Sequence, residues 1–193
     1  IGFGGAPWTL AAYMVEGGSS KKHLKIREFY YEKPDLFEAL MHRIVDSLVE
    51  YFTLQIKAGA DVIQIFDSWG GILSADTYSG ASVRWIRRVI QGVEKNTRRD
   101  VPYIVFAKGM HHHLDLLAST GADVLSIDWT ASLPRIFEQL PEGVAVQGNL
   151  DPAILNTTPE IVSEHAGQLL EEMEDKPGFV FNLGHGITPR ADI

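Results

Sequence analysis

The chain has 193 residues, 45% of them hydrophobic and 22% charged, with a net charge of −8 and no cysteine. Those are the proportions of an ordinary globular domain with one core. The acidic balance argues against nucleic acid or an anionic membrane as a bulk partner. No apolar run approaches the length of a bilayer span, and without cysteine there is no disulfide, thiolate ligand or thiol nucleophile.

Taken in order, the chain alternates strand and helix. Strand-like apolar runs fall at residues 1–3, 61–66, 103–107, 123–127, 144–147 and 179–182, with helical patterns between them. That alternation is the βαβ signature of a parallel sheet. The clearest helix is predicted over residues 34–57, where Leu36, Leu40, Ile44, Leu48, Phe52 and Ile56 recur every fourth residue. Pro34 suits its first turn and Gly59 its C-terminal cap. A second helix is predicted from about Ala81, with Val83, Ile86, Ile90 and Val93 inward. Its Arg84, Arg87 and Arg88 read as a solvated face rather than a phosphate site. A third starts after Thr157-Thr158 with Pro159 in its first turn, and Ile161, Val162, Ala166, Leu169, Leu170 and Met173 supply its buried side.

Gly59-Ala-Asp-Val62 returns as Gly121-Ala-Asp-Val124, 62 residues later. Each copy ends a helical run and opens a strand, and two βα units of roughly thirty residues fill the interval. The chain opens at Ile1 on what reads as the end of a strand and stops after a loop. It is therefore read as one partial domain, residues 1–193, of a longer protein. The expected fold is α/β, a (β/α)8 TIM barrel of which the chain covers about six βα units, with the other two strands expected upstream.

Two segments, Ile63-Gln-Ile-Phe-Asp-Ser-Trp-Gly-Gly71 and Asn182-Leu-Gly-His-Gly186, run from apolar residues abruptly into polar residues and glycine. In a parallel barrel that junction is where the chain leaves a strand at the catalytic face. Ser68 and His185 are the side chains presented there. Glycine on both sides of His185 leaves its ring free to reach outward, and an imidazole suits holding a carboxylate or moving a proton. Tyr13 follows the Gly5-Ala-Pro-Trp-Thr9 loop, and spacing leaves it equally a helix-face aromatic or a phenol donor to an anion.

Period-two alternation turns Asp67 away from the face of Phe66 and Ser68, toward capping or orienting a loop. Asp128 and Asp151 are read first as acceptors of loop backbone N–H groups, with acid–base work as the other reading. Gly2-Phe-Gly-Gly5 lacks the spacing of a dinucleotide turn. Residues His111, His112 and His113 fan about 100° apart on a helix and cannot share one ion, so exposed imidazoles at a helix start are expected.

Four segments, in this order, closely resemble uroporphyrinogen decarboxylases: Ile1-Gly-Phe-Gly-Gly-Ala-Pro-Trp-Thr-Leu-Ala-Ala-Tyr-Met-Val-Glu-Gly-Gly18, Ile65-Phe-Asp-Ser-Trp-Gly-Gly71, Gln147-Gly-Asn-Leu-Asp-Pro152 and Phe181-Asn-Leu-Gly-His-Gly186. The resemblance runs over the whole chain. It implies a single-domain barrel, cytoplasmic and homodimeric, that uses no metal and no cofactor. The implied reaction decarboxylates the four acetate side chains of uroporphyrinogen III to coproporphyrinogen III in haem and other tetrapyrrole biosynthesis.

Carried over by position, Tyr13, Ser68 and His185 bind this tetrapyrrole substrate, His185 is the catalytic candidate, and Phe66 adds apolar wall. The family's aspartate and arginine-rich loop belong upstream of the first motif, so this segment alone is expected to be inactive. Within it, only His185 and a few lysines such as Lys108 offer attraction to a polycarboxylate. The rival expectations are a zinc-dependent corrinoid or thiol methyltransferase on the related barrel, disfavoured by the lack of a thiolate ligand, a non-catalytic tetrapyrrole-binding barrel, and a scaffold.

Overall fold

A computed structural model of the protein describes residues 1–18, 20, 22–97 and 100–191. In chain order the elements are β1 (Gly2–Gly5), α1 (Pro7–Glu16), α2 (Leu24–Glu32), α3 (Pro34–Lys57), β2 (Ile63–Asp67), α4 (Ala75–Tyr78), α5 (Arg84–Asn96) and β3 (Tyr103–Ala107), then α6 (Leu114–Ala118), β4 (Val124–Ser126), α7 (Leu133–Phe137), β5 (Ala145–Leu150), α8 (Pro159–Glu172) and β6 (Phe179–Leu183). Every strand-like run of the sequence lands on an observed strand. All neighbouring strands are parallel, and their order in the sheet is their order in the chain. A doubly wound sheet reverses at a switch point; this one winds in a single direction, as a barrel does.

Alternation along the strands sorts residues onto two faces. On β2, Ile63, Ile65 and Asp67 are fully buried on the face that meets the helices. On the other face the Phe66 ring meets Phe3 of β1 at 6.3 Å and Phe106 of β3 at 6.0 Å. The core lies between the outer face and the helices, with Trp8, Phe37, Met41, Phe52, Trp85 and Ile86 almost wholly enclosed.

Helix α3 has the limits expected of it, but its stripe is not quite the one read from the sequence. A step of four residues overshoots one turn by about 40°, so the row drifts around the helix. Leu36 is consequently 59% exposed, while Phe37 and Met41 take the buried positions. Further along, the helix expected from Ala81 begins earlier and in pieces, as α4, a π-turn at Ser79–Val83, and then α5. Its arginines are not simply solvated. Arg84 pairs with Glu38 of α3 at 3.0 Å, Arg87 donates to the Ser119 carbonyl at 2.6 Å, and Arg84 and Arg88 both lie over the Trp85 ring.

On α8 only Leu169 and Met173 are buried, whereas Ile161 and Leu170 are exposed. Apolar periodicity marks a face; it does not say what covers it. Helix α2 was not anticipated, since Ile26 is its one fully buried residue and too weak a pattern to register. The repeated Gly-Ala-Asp-Val segments do the same work twice. Gly59 and Gly121 both adopt positive φ, +108° and +90°, to end a helical run before a strand.

Candidate active site at the C-terminal edge of the sheet

Because the strands are parallel, Tyr13, Ser68 and His185, each following a strand, all lie at the C-terminal edge of the sheet. The β2 junction is held from the helix side. Asp67, wholly buried, accepts from Thr9 Oγ1 at 2.8 Å and Ser82 Oγ at 2.6 Å. Burial pushes its carboxyl above the usual range, and hydroxyls from Ser82, Thr9 and Tyr78 restrain the rise. Asp67 therefore orients a loop, as its place in the alternation suggested. The Trp69 N–H donates to Thr9 Oγ1 at 3.4 Å, and Trp8 Nε1–H donates to the Trp69 carbonyl at 3.1 Å. Both neighbours of Ser68 are pinned, which leaves its half-buried hydroxyl unpaired among the described residues.

Tyr13 sits on α1 with its ring edge-on to Trp69 at 6.2 Å and is 44% exposed. Together with Phe3 and Phe66 it lines an apolar cavity of ≈ 770 Å³ between α1, α3 and β1. His185 lies across the sheet, its ring edge-on to Phe106 at 5.7 Å and to Trp129 at 5.9 Å. Burial lowers its pKa, Lys108 lowers it further, and Asp128 opposes them. The ring is thus neutral at pH 7. Among the described residues no direct contact joins Tyr13, Ser68 and His185. Two relays connect them: the Trp69 ring beside Ser68, and the line of rings Phe66–Phe106–His185.

The two glycines around His185 have different reasons. A β-carbon at Gly184 would meet the Trp129 amide nitrogen at 2.3 Å, whereas at Gly186 nothing lies within 4 Å. Only the second leaves open space; the first is demanded by close packing of two loops. Gly148, at φ +141° and facing the Ile127 carbonyl, is required in the same way in the β5 motif. The next residue, Asn149, donates Nδ2–H to the carbonyls of Asp128 and Ala131.

Asp128 caps loops, the first of its two readings. It accepts from the Gly109 N–H at 2.6 Å, the Thr130 N–H at 2.9 Å and the Thr130 hydroxyl. Burial works to raise its pKa, but those hydrogen bonds, with His111 beside it, outweigh burial and hold the carboxyl below the usual range. Asp151 caps too, accepting the Ala153 N–H at 2.8 Å.

The three histidines depart from expectation. They occupy a turn before α6, and the His111 side chain is only 10% exposed, with Nδ1 3.5 Å from Asp128 Oδ2. The lone carboxylate in reach drew it inward. Sequence reasoning also missed Phe106 and Trp129 as walls of the site. Counting by twos from Phe66 and Ser68 on the neighbouring strand would have found Phe106.

The whole chain, residues 1–193, matches the family model described as "Uroporphyrinogen decarboxylase (URO-D)". The chain belongs to the uroporphyrinogen decarboxylase family. Curated relatives named uroporphyrinogen decarboxylase include those of Alcanivorax borkumensis, 42% identical over 100% of this chain and 55% of the relative, and Saccharophagus degradans, 45% identical over 100% and 54%. The chain spans about half the length of the curated relatives it matches. Among solved structures, a methyltransferase from Methanosarcina mazei is similar with a TM-score of 0.79 and 22% identity, over 98% of this chain and 54% of its own. That likeness is one of fold, the (β/α)8 barrel type. In this uroporphyrinogen decarboxylase chain the four motif segments are the four loops just described, gathered along one edge of the sheet.

Proposed function

We propose that the protein to which this chain belongs decarboxylates the acetate side chains of uroporphyrinogen III to give coproporphyrinogen III. The observation that carries this reading is the ring line Phe66–Phe106–His185, with the polar ends of Ser68, Tyr13 and His185 set along the same edge of the sheet. A broad macrocycle with carboxylates on its rim calls for an apolar floor and polar groups around it.

Ser68 and Tyr13 donate O–H groups to substrate carboxylates, and His185, neutral at pH 7, offers an N–H. The reaction begins with a proton added to a pyrrole α-carbon. The cationic ring then accepts the electron pair of the breaking C–C bond, CO2 departs, and a proton takes its place on the side chain. A site for this chemistry stabilises the positive ring with a carboxylate near the pyrrole N–H groups. Asp67 and Asp128 are both engaged elsewhere, Asp67 by Thr9 and Ser82 and Asp128 by Gly109 and Thr130. We assign that carboxylate to sequence outside these residues. Fixing the macrocycle in register is the contribution of Tyr13, Ser68 and His185.

A cytoplasmic homodimer acting on a small tetrapyrrole belongs to the same proposal; among the described residues no helix is long and apolar enough to cross a membrane. The test is anaerobic incubation of the full-length protein with uroporphyrinogen III, followed by chromatography of the oxidised products. Coproporphyrin is expected, and recovery of unchanged substrate defeats the proposal. The 193-residue segment alone is expected to give none.

A further inference from the structure

We infer that Lys108 is a further substrate-binding residue of this site, its ammonium group pairing with a carboxylate on the rim of the macrocycle. The inference rests on the porphyrinogen reading above and adds a residue to it.

Lys108 directly follows β3, two positions beyond Phe106. Phe106 directs its ring at Phe66 and His185, so alternation sends Lys108 to the same face. Its backbone is clamped from both sides. The Lys108 N–H donates to the Asp67 carbonyl at 3.3 Å, and the next amide, Gly109, donates to Asp128 at 2.6 Å. A β-carbon at Gly71 would come within 2.5 Å of the Lys108 carbonyl oxygen, so the loop carrying Ser68 lies backbone to backbone on the loop carrying Lys108.

The side chain ends with Nζ 5.2 Å from the centroid of the Trp129 ring, the indole that His185 also touches. Lys108 is half-buried, and among the described residues it has no carboxylate within ion-pair distance. A partly desolvated ammonium held on an aromatic face without a counter-ion is a receptor for an anion. On a chain of net charge −8, a polycarboxylate is drawn in only by such local positive charge.

The experiment uses the full-length protein with Lys108→Met and Lys108→Arg. KM and kcat for uroporphyrinogen III are measured at low and at raised ionic strength. Loss of a charge-assisted contact raises KM about tenfold in Lys108→Met while kcat falls far less. Lys108→Arg recovers most of the loss, and added salt raises KM in the parent more than in Lys108→Met. Unchanged KM in Lys108→Met overturns the inference while leaving the decarboxylase reading intact. A parallel loss of kcat and thermal stability in both variants overturns it as well, since Lys108 is then structural.

Should Lys108→Met not fold, acetylation of the parent protein decides. Saturating uroporphyrinogen III protects Lys108, as read by peptide mass spectrometry, and equal modification with and without substrate overturns the inference. No turnover by the parent protein removes both readings together.

Discussion

Gly184 and Trp129 come from loops more than fifty residues apart in sequence, yet a β-carbon on Gly184 would lie 2.3 Å from the Trp129 amide nitrogen. Backbone cannot retreat as a side chain can, so the contact fixes the position of the neighbouring His185. Gly184→Ala is expected to destabilise the protein by about 1–3 kcal/mol and to displace His185. Gly186→Ala, with nothing within 4 Å of the added carbon, is expected to stay within about 0.5 kcal/mol. Denaturant unfolding of the two variants checks the contrast, and equal effects contradict it.

Asp67 is a buried carboxylate held by two hydroxyls, and it orients the loop that carries Ser68. Removing one donor leaves the charge less well satisfied. Ser82→Ala is expected to cost about 1.5–3 kcal/mol and to push the Asp67 pKa further up. The unfolding midpoint in urea reads the first, and carboxyl NMR titration the second.

His23 predicts a pH effect. Its ring is fully buried, stacks on Trp69 at 4.1 Å, and has no hydrogen-bond partner for either nitrogen among the described residues. Burial lowers its pKa, Arg27 adds to the lowering, and Glu16 opposes it. With the folded pKa below the unfolded one, the unfolded chain binds the proton more readily. Stability is therefore full above the ordinary histidine range and is lost as pH falls through the lowered folded value. His23→Phe retains a ring against Trp69 and abolishes this titration. The thermal midpoint of the parent is expected to fall more than that of His23→Phe between pH 7 and pH 5; identical slopes exclude the effect.

Charge from Lys108 helps to keep His185 neutral. Lys108→Met is expected to raise the His185 pKa, with no comparable change at His42 on α3. Proton NMR titration of the imidazoles reads this directly.

His185→Gln retains an N–H donor but shifts its position and removes the ring stacked on Phe106 and Trp129. In the full-length protein kcat/KM is expected to fall about 10- to 100-fold. Activity equal to that of the parent would remove His185 from the site.

The amino-acid sequence by itself determined the six strands, the limits of α3, the outward turn of Asp67 and the loops that carry Tyr13, Ser68 and His185. These are local matters: alternation, helical period, and glycine or proline at a chain reversal follow from backbone geometry within a few residues. Only tertiary structure decided that His111 turns inward to Asp128, that Gly184 is bare because Trp129 passes beside it, that Leu36, Ile161 and Leu170 meet solvent, and that Lys108 shares an indole with His185. Each of those depends on which distant segment arrives alongside, and that is fixed by strand register and by the packing of helices on the sheet, quantities that no short window of sequence contains.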